Sequence, residues 1–202
     1  MTAADRQPRI ARRTLLGGLG LAPLALAGCS TPGGTGPSAS AAEDVLRARG
    51  LDGLEGREIV DRLERLPLAE RPADLMAMVH PAELVLTGSD KREVTRPLPE
   101  DRFYLSVAPF METTHECHFH SLTTCLGELR DRDVTIRLTE QGSAEPLKDE
   151  TVTTQPNGFL GLWLPRGPEY RLICQVDGAR GEAIIATADE QDPTCLTTVQ
   201  LT

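Results

Sequence analysis

Aromatic side chains are scarce in this chain of 202 residues, which contains one Trp, two Tyr and four Phe. Lysine is rarer still, at Lys91 and Lys148 only, and the formal net charge is −9. Proteins that bind nucleic acids need a basic surface for phosphates and often use aromatic rings on which bases stack. The composition therefore predicts that nucleic acid is not a partner.

Several chemical motifs are absent as well. The sequence contains no glycine-rich phosphate loop and no dinucleotide fingerprint, which argues against nucleotide-dependent enzymes. It has no C-x2-C pair and no zinc-finger spacing. Ser121 lies beside His120 as a nucleophile next to a base, but sequence neighbours on a loop rarely align for catalysis. We therefore expect no hydrolase.

Residues 1–28 have the features of a signal peptide. Arg12 and Arg13 precede an apolar run that is too short and too rich in Gly to be a convincing membrane span. The run ends in Leu26-Ala27-Gly28-Cys29, which resembles a bacterial lipobox and predicts lipid attachment at Cys29. An ordinary cleaved signal is the alternative, and the export route, general or twin-arginine, stays open.

Residues 29–41 consist mostly of Ser, Thr, Pro, Gly and Ala, a composition that predicts a flexible tether. The rest of the chain is then expected to be exported and lipid-anchored on the outer face of the cytoplasmic membrane, in the periplasm or at the cell surface. Residues 1–28 carry a net charge of +3, so their removal leaves a chain of charge −12.

Residues 42–82 predict a small helical N-terminal region. Apolar residues recur among charged ones at helical spacing as far as Pro67. These apolar positions are Leu54, Ile59, Leu63 and Leu66. A second short helix is predicted over residues 71–79. The apolar faces must pack either on the C-terminal part or on a partner subunit, so a homodimer through these helices is one hypothesis.

From residue 83 to 202 the pattern is that of β-strands. Seven short apolar runs separated by Gly, Pro and Asn favour an antiparallel β-sandwich, so the predicted fold class is α+β. The runs are 83–87, 103–107, 134–138, 159–164, 170–176, 183–187 and 196–201. Residues 153–172, with the turn Pro156-Asn157-Gly158, resemble the transthyretin-like or carboxypeptidase-regulatory-like sandwich, which indicates fold and not function.

The segment from residue 114 to 125 holds three of the four histidines and two of the five cysteines. These residues are His115, Cys117, His118, His120 and Cys125. Thiolate sulfur and imidazole nitrogen are the ligands that copper and zinc prefer. The segment therefore predicts a metal site within the predicted β-sandwich.

The other cysteines divide into two kinds. Cys174 occupies the apolar face of a predicted strand, which indicates a small buried thiol. Cys195 follows the polar stretch Asp192-Pro193-Thr194 and is a third candidate ligand beside Cys117 and Cys125. A disulfide between Cys117 and Cys125 is the alternative to a metal, or the oxidised form of the same site.

Alternation along an extended segment separates the candidate ligands into two pairs. His115 and Cys117 would point to one side, and His118 and His120 to the other. Thiolates suit Cu(I) and Zn(II), whereas imidazoles suit Cu(II) and Zn(II). Because zinc-finger spacing is absent, copper is slightly favoured over zinc, with Cu(I) preferred over Cu(II).

Two stretches resemble the CueP family of exported bacterial copper-binding proteins. They are residues 115–129, with the run His-Ser-Leu-Thr-Thr-Cys, and residues 192–198. The resemblance extends from about residue 54 to the C-terminus. It implies a helical N-terminal region, a β C-terminal domain and a role in extracytoplasmic copper resistance, with copper passed to other proteins in some members. It also implies that Cys117, Cys125 and Cys195 are the functional cysteines, with His115 and His120 inside the matching motif.

Three hypotheses of function follow. In the first, an extracytoplasmic lipoprotein sequesters Cu(I) or hands it on to a copper-accepting protein. In the second, paired thiols reduce Cu(II) to Cu(I) stoichiometrically and a thiol reductase restores them, which is the one enzyme-like activity that we consider. In the third, the domain is a disulfide-stapled interaction module without metal.

Overall fold

The computed structural model describes the backbone of residues 38–202 and side chains from residue 43. The predicted signal peptide, Cys29 and residues 29–37 of the predicted tether lie outside the described residues. The first helix begins at Ser38, so the last four residues of the predicted tether are helical. No helix among the described residues is long and apolar enough to cross a bilayer.

Short helices come first in the described part of the chain and strands follow. The elements are α1 (Ser38–Arg47), α2 (Gly56–Glu64), a 3-10 turn (Leu68–Glu70), β1 (Leu75–Val79), β2 (Glu83–Gly88), β3 (Glu93–Pro97), β4 (Arg102–Val107), β5 (His120–Ser121), β6 (Asp133–Glu140), β7 (Pro146–Thr153), β8 (Leu160–Pro165), β9 (Tyr170–Val176), β10 (Ala179–Ile185) and β11 (Cys195–Leu196). The predicted α+β class is confirmed.

The predicted helix over residues 71–79 is wrong, because residues 75–79 form strand β1. Leu75, Ala77 and Val79 are buried while Met76 is exposed, which is the period of two that a strand requires. Five residues are too few to distinguish this period from a helical one. β1 pairs with β2 in antiparallel register, so the predicted boundary at residue 82 falls between neighbouring strands of one sheet.

The strands form three sheets. Their orders are β3-β2-β1-β5, β10-β9-β6-β7 and β11-β4-β8. All strand pairs are antiparallel except β11 with β4, which is parallel. The last two sheets face each other across a core of alternating apolar side chains, which confirms the predicted sandwich. Strand β3 was not predicted, because its exposed, charge-rich face carries little apolar signal.

Strand β4 connects the two cores of the described part. Phe103, Leu105 and Val107 point into the sandwich. Tyr104, on the opposite face, joins the second core, in which both helices pack on the β3-β2-β1-β5 sheet. Ser106 shares that second face and reaches α2. Ser106 also pairs with Cys195, the first residue of β11. Because this one residue of β4 contacts both elements, the end of α2 lies close to the start of β11.

The helices bury their apolar faces within the chain itself. Val45, Leu46, Ile59, Val60 and Leu63 are all at most 5% exposed and belong to the second core. The sequence left open whether these faces pack on the chain itself or on a partner subunit. In the structure they pack against the chain's own sheets. The homodimer hypothesis loses its motivation, since these side chains are already covered.

Candidate metal centre

Four candidate ligands from distant parts of the sequence meet in one place. One ligand atom from each of His115, Cys117, Cys125 and Cys195 can be chosen so that all four lie within 4.8 Å of one another. Ligands held about 2.3 Å from a tetrahedral ion lie about 3.8 Å apart. A small inward shift of the side chains therefore suffices to hold one soft metal ion.

Backbone hydrogen bonds hold the three sulfurs in position. Cys195 N donates to His118 O (3.1 Å), which ties the start of β11 to the histidine-rich segment. Cys125 N donates to Ser121 O (3.1 Å), and the Ser121 amide points back at the Cys125 sulfur (3.4 Å). The segment therefore wraps around its own sulfur and presents Cys117 and Cys125 together to Cys195.

The two sulfurs of the segment are close but unbonded. Cys117 Sγ lies 3.5 Å from Cys125 Sγ, and all cysteines among the described residues are free. This distance allows either shared coordination of a metal or bridge formation after oxidation. The disulfide between Cys117 and Cys125, which is predicted for the oxidised form, stays a prediction.

Hydrogen bonds within the cluster distribute the thiol protons unevenly. Donation from Cys117 and Cys195 lowers the pKa of Cys125, whose sulfur also faces the His120 imidazole. The same sharing raises the pKa of Cys117 to about 12 and raises that of Cys195. Hydrogen bonds among the three sulfurs thus stabilise a thiolate within the metal-free cluster, and the remaining thiol protons must leave when a metal binds all three sulfurs.

His115 is the histidine that joins the sulfurs. Its Nε2 is buried and makes no hydrogen bond with any described residue. A buried polar atom without a partner is energetically costly, and in native proteins such an atom often faces an ion or a ligand. The ring lies edge-on to Phe159, with 6.2 Å between the ring centroids, so an apolar wall limits its movement. An imidazole that lies beside three sulfurs and has a buried nitrogen without a partner fits a metal site.

His120 stands behind the cluster rather than in it. Its Nδ1 lies 3.6 Å from Cys195 Sγ, and its Nε2 lies 2.9 Å from the Glu64 carboxylate. Burial opposes a charged ring here, but the Glu64 carboxylate prevails and raises the pKa of His120 to about 9. A protonated His120 donates through both nitrogens, one to a carboxylate and one to a ligand sulfur.

Glu64, the last residue of α2, is buried behind the sulfurs. It is 3% exposed, and hydrogen bonds from Asn157 Nδ2 (2.9 Å) and Ser106 Oγ (3.2 Å) reach its Oε1. Burial raises the pKa of Glu64, but His120 and these donors outweigh burial and lower it. A fully bonded carboxylate thus fixes the orientation of the His120 ring.

His118 points away from the sulfurs. Its Nε2 lies 3.0 Å from Gln191 O, and its ring packs against Phe119, which in turn contacts His80. His80 follows β1 and donates its backbone N–H to Glu83 O in the turn to β2. The structure thus brings His115 to the cluster, places His120 directly behind it and leaves His118 outside.

Two further contacts position the segment. Glu128 Oε2 accepts hydrogen bonds from the backbone N–H groups of Met111, Glu112 and Thr113 at 2.8–3.1 Å, just before His115. Gly127 N donates to Asn157 O, and a Cβ built on Gly127 would lie 2.6 Å from Gly158 O. The predicted turn at residues 156–158 is present and packs against the backbone beyond Cys125.

Cys174 is fully buried in the sandwich core, as predicted, and burial raises its pKa to about 12.

Two residues that support the cluster were not predicted from the sequence. They are Glu64 and Arg71, and the Arg71 Nη1 donates to Cys125 O (2.8 Å). One signal for Glu64 is present in the sequence. It lies four residues after Val60 and directly after Leu63, on the apolar face of the helix, where a carboxylate needs a buried partner.

Comparisons with known proteins agree on one family. The family model described as periplasmic copper-binding protein CueP matches residues 58–200. A crystal structure described as that of S.CueP superposes with a TM-score of 0.72 at 34% sequence identity, and the match covers 79% of this chain and 96% of that chain. No curated protein matches the sequence.

Proposed function

Because this chain belongs to the CueP family of periplasmic copper-binding proteins, we propose that it binds Cu(I) outside the cytoplasm through Cys117, Cys125, Cys195 and His115. The protein sequesters the ion or hands it to a copper-accepting protein. The observation that carries the proposal is the convergence of three sulfurs and the His115 imidazole within 4.8 Å of one another. Soft thiolates favour Cu(I), while zinc is the alternative cargo for the same donors.

His120 has a supporting role in this proposal. It donates a hydrogen bond to the Cys195 sulfur and is oriented by Glu64. Hydrogen-bond donors behind the metal ligands fix the geometry of those ligands and partly neutralise the charge of a thiolate. His118 takes no part in binding, since its ring is engaged with Gln191 and Phe119.

The experiment is a competition titration of reduced full-length chain against a Cu(I) chelator. Replacing Cys117, Cys125 or Cys195 by Ala should weaken Cu(I) binding by at least about a hundredfold. Cys174→Ala is the matched control and should leave the affinity unchanged, because that thiol lies in the sandwich core. Equal effects of all four substitutions, or full affinity without Cys195, would overturn the ligand set. The same titration with Zn(II) ranks the two metals.

A second candidate function is reduction of Cu(II), favoured by the 3.5 Å separation of the Cys117 and Cys125 sulfurs. Two thiols lose two protons and two electrons, one S–S bond forms, and two Cu(II) ions become two Cu(I) ions. A thiol reductase then restores the pair. Anaerobic mixing with Cu(II) should consume one thiol for each Cu(I) formed, and unchanged thiol content would exclude the reaction. Copper-free native protein that carries intact bridges would instead favour the disulfide-stapled module.

The lipid anchor at Cys29 belongs to the proposal as well. It is supported by the sequence Leu26-Ala27-Gly28-Cys29, and the family's periplasmic location agrees with export. Metabolic labelling with a tagged fatty acid should mark the wild-type protein and leave Cys29→Ala unlabelled. Labelling of that variant would place the lipid elsewhere.

A further inference from the structure

An open cleft of about 580 Å³ lies over one side of the metal centre. Two of the four candidate ligands, His115 and Cys125, are part of its lining. The other lining residues are Thr113, Thr114, Thr124, Leu126, Gly127, Glu128 and Arg130. The volume far exceeds that of a bare ion, so the cleft has room for a small molecule that carries the metal.

The charges around the cleft are of both signs but differ in availability. Arg130 lies on its rim, and its side chain makes a single hydrogen bond with the described residues, a long one from Nε to Gly127 O (3.5 Å). Glu128 also lines the cleft, but one of its oxygens accepts three backbone N–H groups. The side chain of Arg130 therefore has fewer hydrogen-bond partners in the protein than that of Glu128.

A second guanidinium lies behind Cys125. Arg71 Nη1 bonds Cys125 O at 2.8 Å, while its Nε and Nη2 are buried and have no hydrogen-bond partner among the described residues. Burial lowers the pKa of Arg71, and the charge of Arg130 lowers it further, against the opposing effects of Glu64 and Cys125. Buried N–H groups of a guanidinium call for an acceptor, preferably an anionic one.

We propose that this cleft receives copper as a small anionic Cu(I) complex, with Arg130 attracting the complex and Cys125 and His115 as the first protein ligands to replace its donors. The inference rests on the proposed copper-binding function. It names the class of donor molecule, which that function leaves open. The hydroxyls of Thr114 and Thr124 already donate to Thr197 O and Ser121 Oγ, so Thr113 is the lining threonine whose hydroxyl can donate to a carboxylate or sulfonate group of such a complex.

The transfer is a ligand exchange without a redox step. Bonds from the chelate donors to Cu(I) break, and bonds from the protein sulfurs to Cu(I) form. The free chelate leaves through the cleft with its own charge, and the protons of the thiols that become ligands pass to solvent. Copper remains Cu(I) throughout.

The first test needs no copper. Reduced, metal-free full chain is alkylated at low ionic strength with iodoacetate, which is anionic, or with iodoacetamide, which is neutral, and Cys125 is followed by peptide mass spectrometry. Arg130→Glu should slow iodoacetate about fivefold relative to iodoacetamide, and salt should diminish the difference. Arg130→Lys, which keeps the charge, should react like wild type.

Lys91→Glu is the matched control for the reversal of one positive charge. Lys91 is exposed in the turn from β2 to β3, at the opposite edge of the sheet from β5, and should change neither rate. An equal slowing of both reagents by Arg130→Glu, or an equal effect of Lys91→Glu, would overturn the proposal.

The second test measures Cu(I) transfer by stopped flow from two donors. One is the small anionic complex with thiosulfate, and the other is the cationic complex with acetonitrile. Arg130→Glu should slow transfer from the anionic donor about fivefold and leave transfer from the cationic donor no slower, with unchanged equilibrium affinity. Slowing that is independent of donor charge would refute the cleft's role. Failure of wild type to take copper from either donor would instead refute the proposed function.

Discussion

At the scale of single residues, His115 and His118 have different surroundings that their spacing in the sequence does not distinguish. Each is followed two residues later by another candidate, Cys117 and His120. In the structure His115 joins the sulfurs, while His118 bonds a backbone oxygen at the surface. Alternation did place His115 with Cys117, as the cluster has it, but it could not identify which face becomes the site.

Replacement of these two histidines should therefore affect Cu(I) binding to different extents. His115→Ala should weaken Cu(I) binding about tenfold to a hundredfold, because it removes a nitrogen donor. His118→Ala should change the affinity less than about twofold, which lies within the scatter expected of a surface side chain. Competition titration of both variants gives the ranking. A larger loss from His118→Ala would place the site on the other face of the segment.

At the scale of elements, α2 supports the candidate metal centre through its final residue, Glu64. Burial of Ile59 and Leu63 against the sheets fixes the helix, and this carries the Glu64 carboxylate to His120. The element is thus more than a cover for the apolar core. Sequence pattern predicted the helix and its apolar face, but the partner of Glu64 lies 56 residues away along the chain.

Removal of that carboxylate should be costly. Glu64→Ala leaves the buried His120 ring without its counter-ion, and the free energy of unfolding of metal-free protein should fall by about 3–5 kcal/mol. Glu64→Gln, which keeps a hydrogen-bond acceptor, should lose less. Urea denaturation measures both, and Glu100→Ala, at an exposed position, is the control. Equal stability of Glu64→Ala and the control would contradict the role of the pair.

The loop from β4 to β5 depends on Glu128 in a way that predicts a pH effect. The backbone N–H groups of Thr113, Glu112 and Met111 lower the pKa of Glu128. A depressed carboxyl pKa means that this anchoring is complete above pH ~4.5 and is lost as the pH falls through the lower, folded-state pKa. Amide exchange at residues 111–113, corrected for intrinsic rates, should therefore accelerate in acid.

Glu128→Ala should show the same fast exchange at neutral pH, while amides of β6 stay protected in both proteins. Persistent protection of residues 111–113 in that variant would show that other contacts hold the loop. Because His115 follows this anchor closely, the variant should also bind Cu(I) more weakly than wild type, by a smaller factor than His115→Ala.

At the scale of the whole molecule, the metal centre joins strands and loops that are remote in sequence. Cys195 begins β11 beside the central strand β4, whereas Cys117 and Cys125 flank β5 at the edge of another sheet. An ion bound by all three sulfurs would therefore link two sheets, and it could do so only in the folded chain. Binding should consequently stabilise the whole described unit and not just the loop.

Copper at a free concentration one hundred times the dissociation constant should raise the free energy of unfolding by about 2.7 kcal/mol. Urea titration with chelator-buffered Cu(I) measures this shift. Cys174→Ala should retain the shift, and Cys195→Ala should lose most of it. An unshifted midpoint for wild type would mean that the ion binds the unfolded chain equally well.

The strands that the sequence predicted, such as β4, β8 and β9, carry apolar side chains on at least one face. This period of two survives in any tertiary arrangement and so could be read directly. β1 was predicted as a helix because its pattern is short and follows Pro72. Its strand conformation depends on pairing with β2 and β5, which are partners that a local pattern does not contain.

The amino-acid sequence by itself determined the donor chemistry, because thiol and imidazole groups belong to residue types, and it determined the sandwich through the spacing of apolar side chains. The tertiary structure alone decided that His115 joins the cluster, that His120 stands behind it on Glu64 and that Arg130 lines the cleft on its open side. The physical reason is that coordination, burial and charge depend on distances of a few ångströms. Contacts between residues far apart in sequence set those distances.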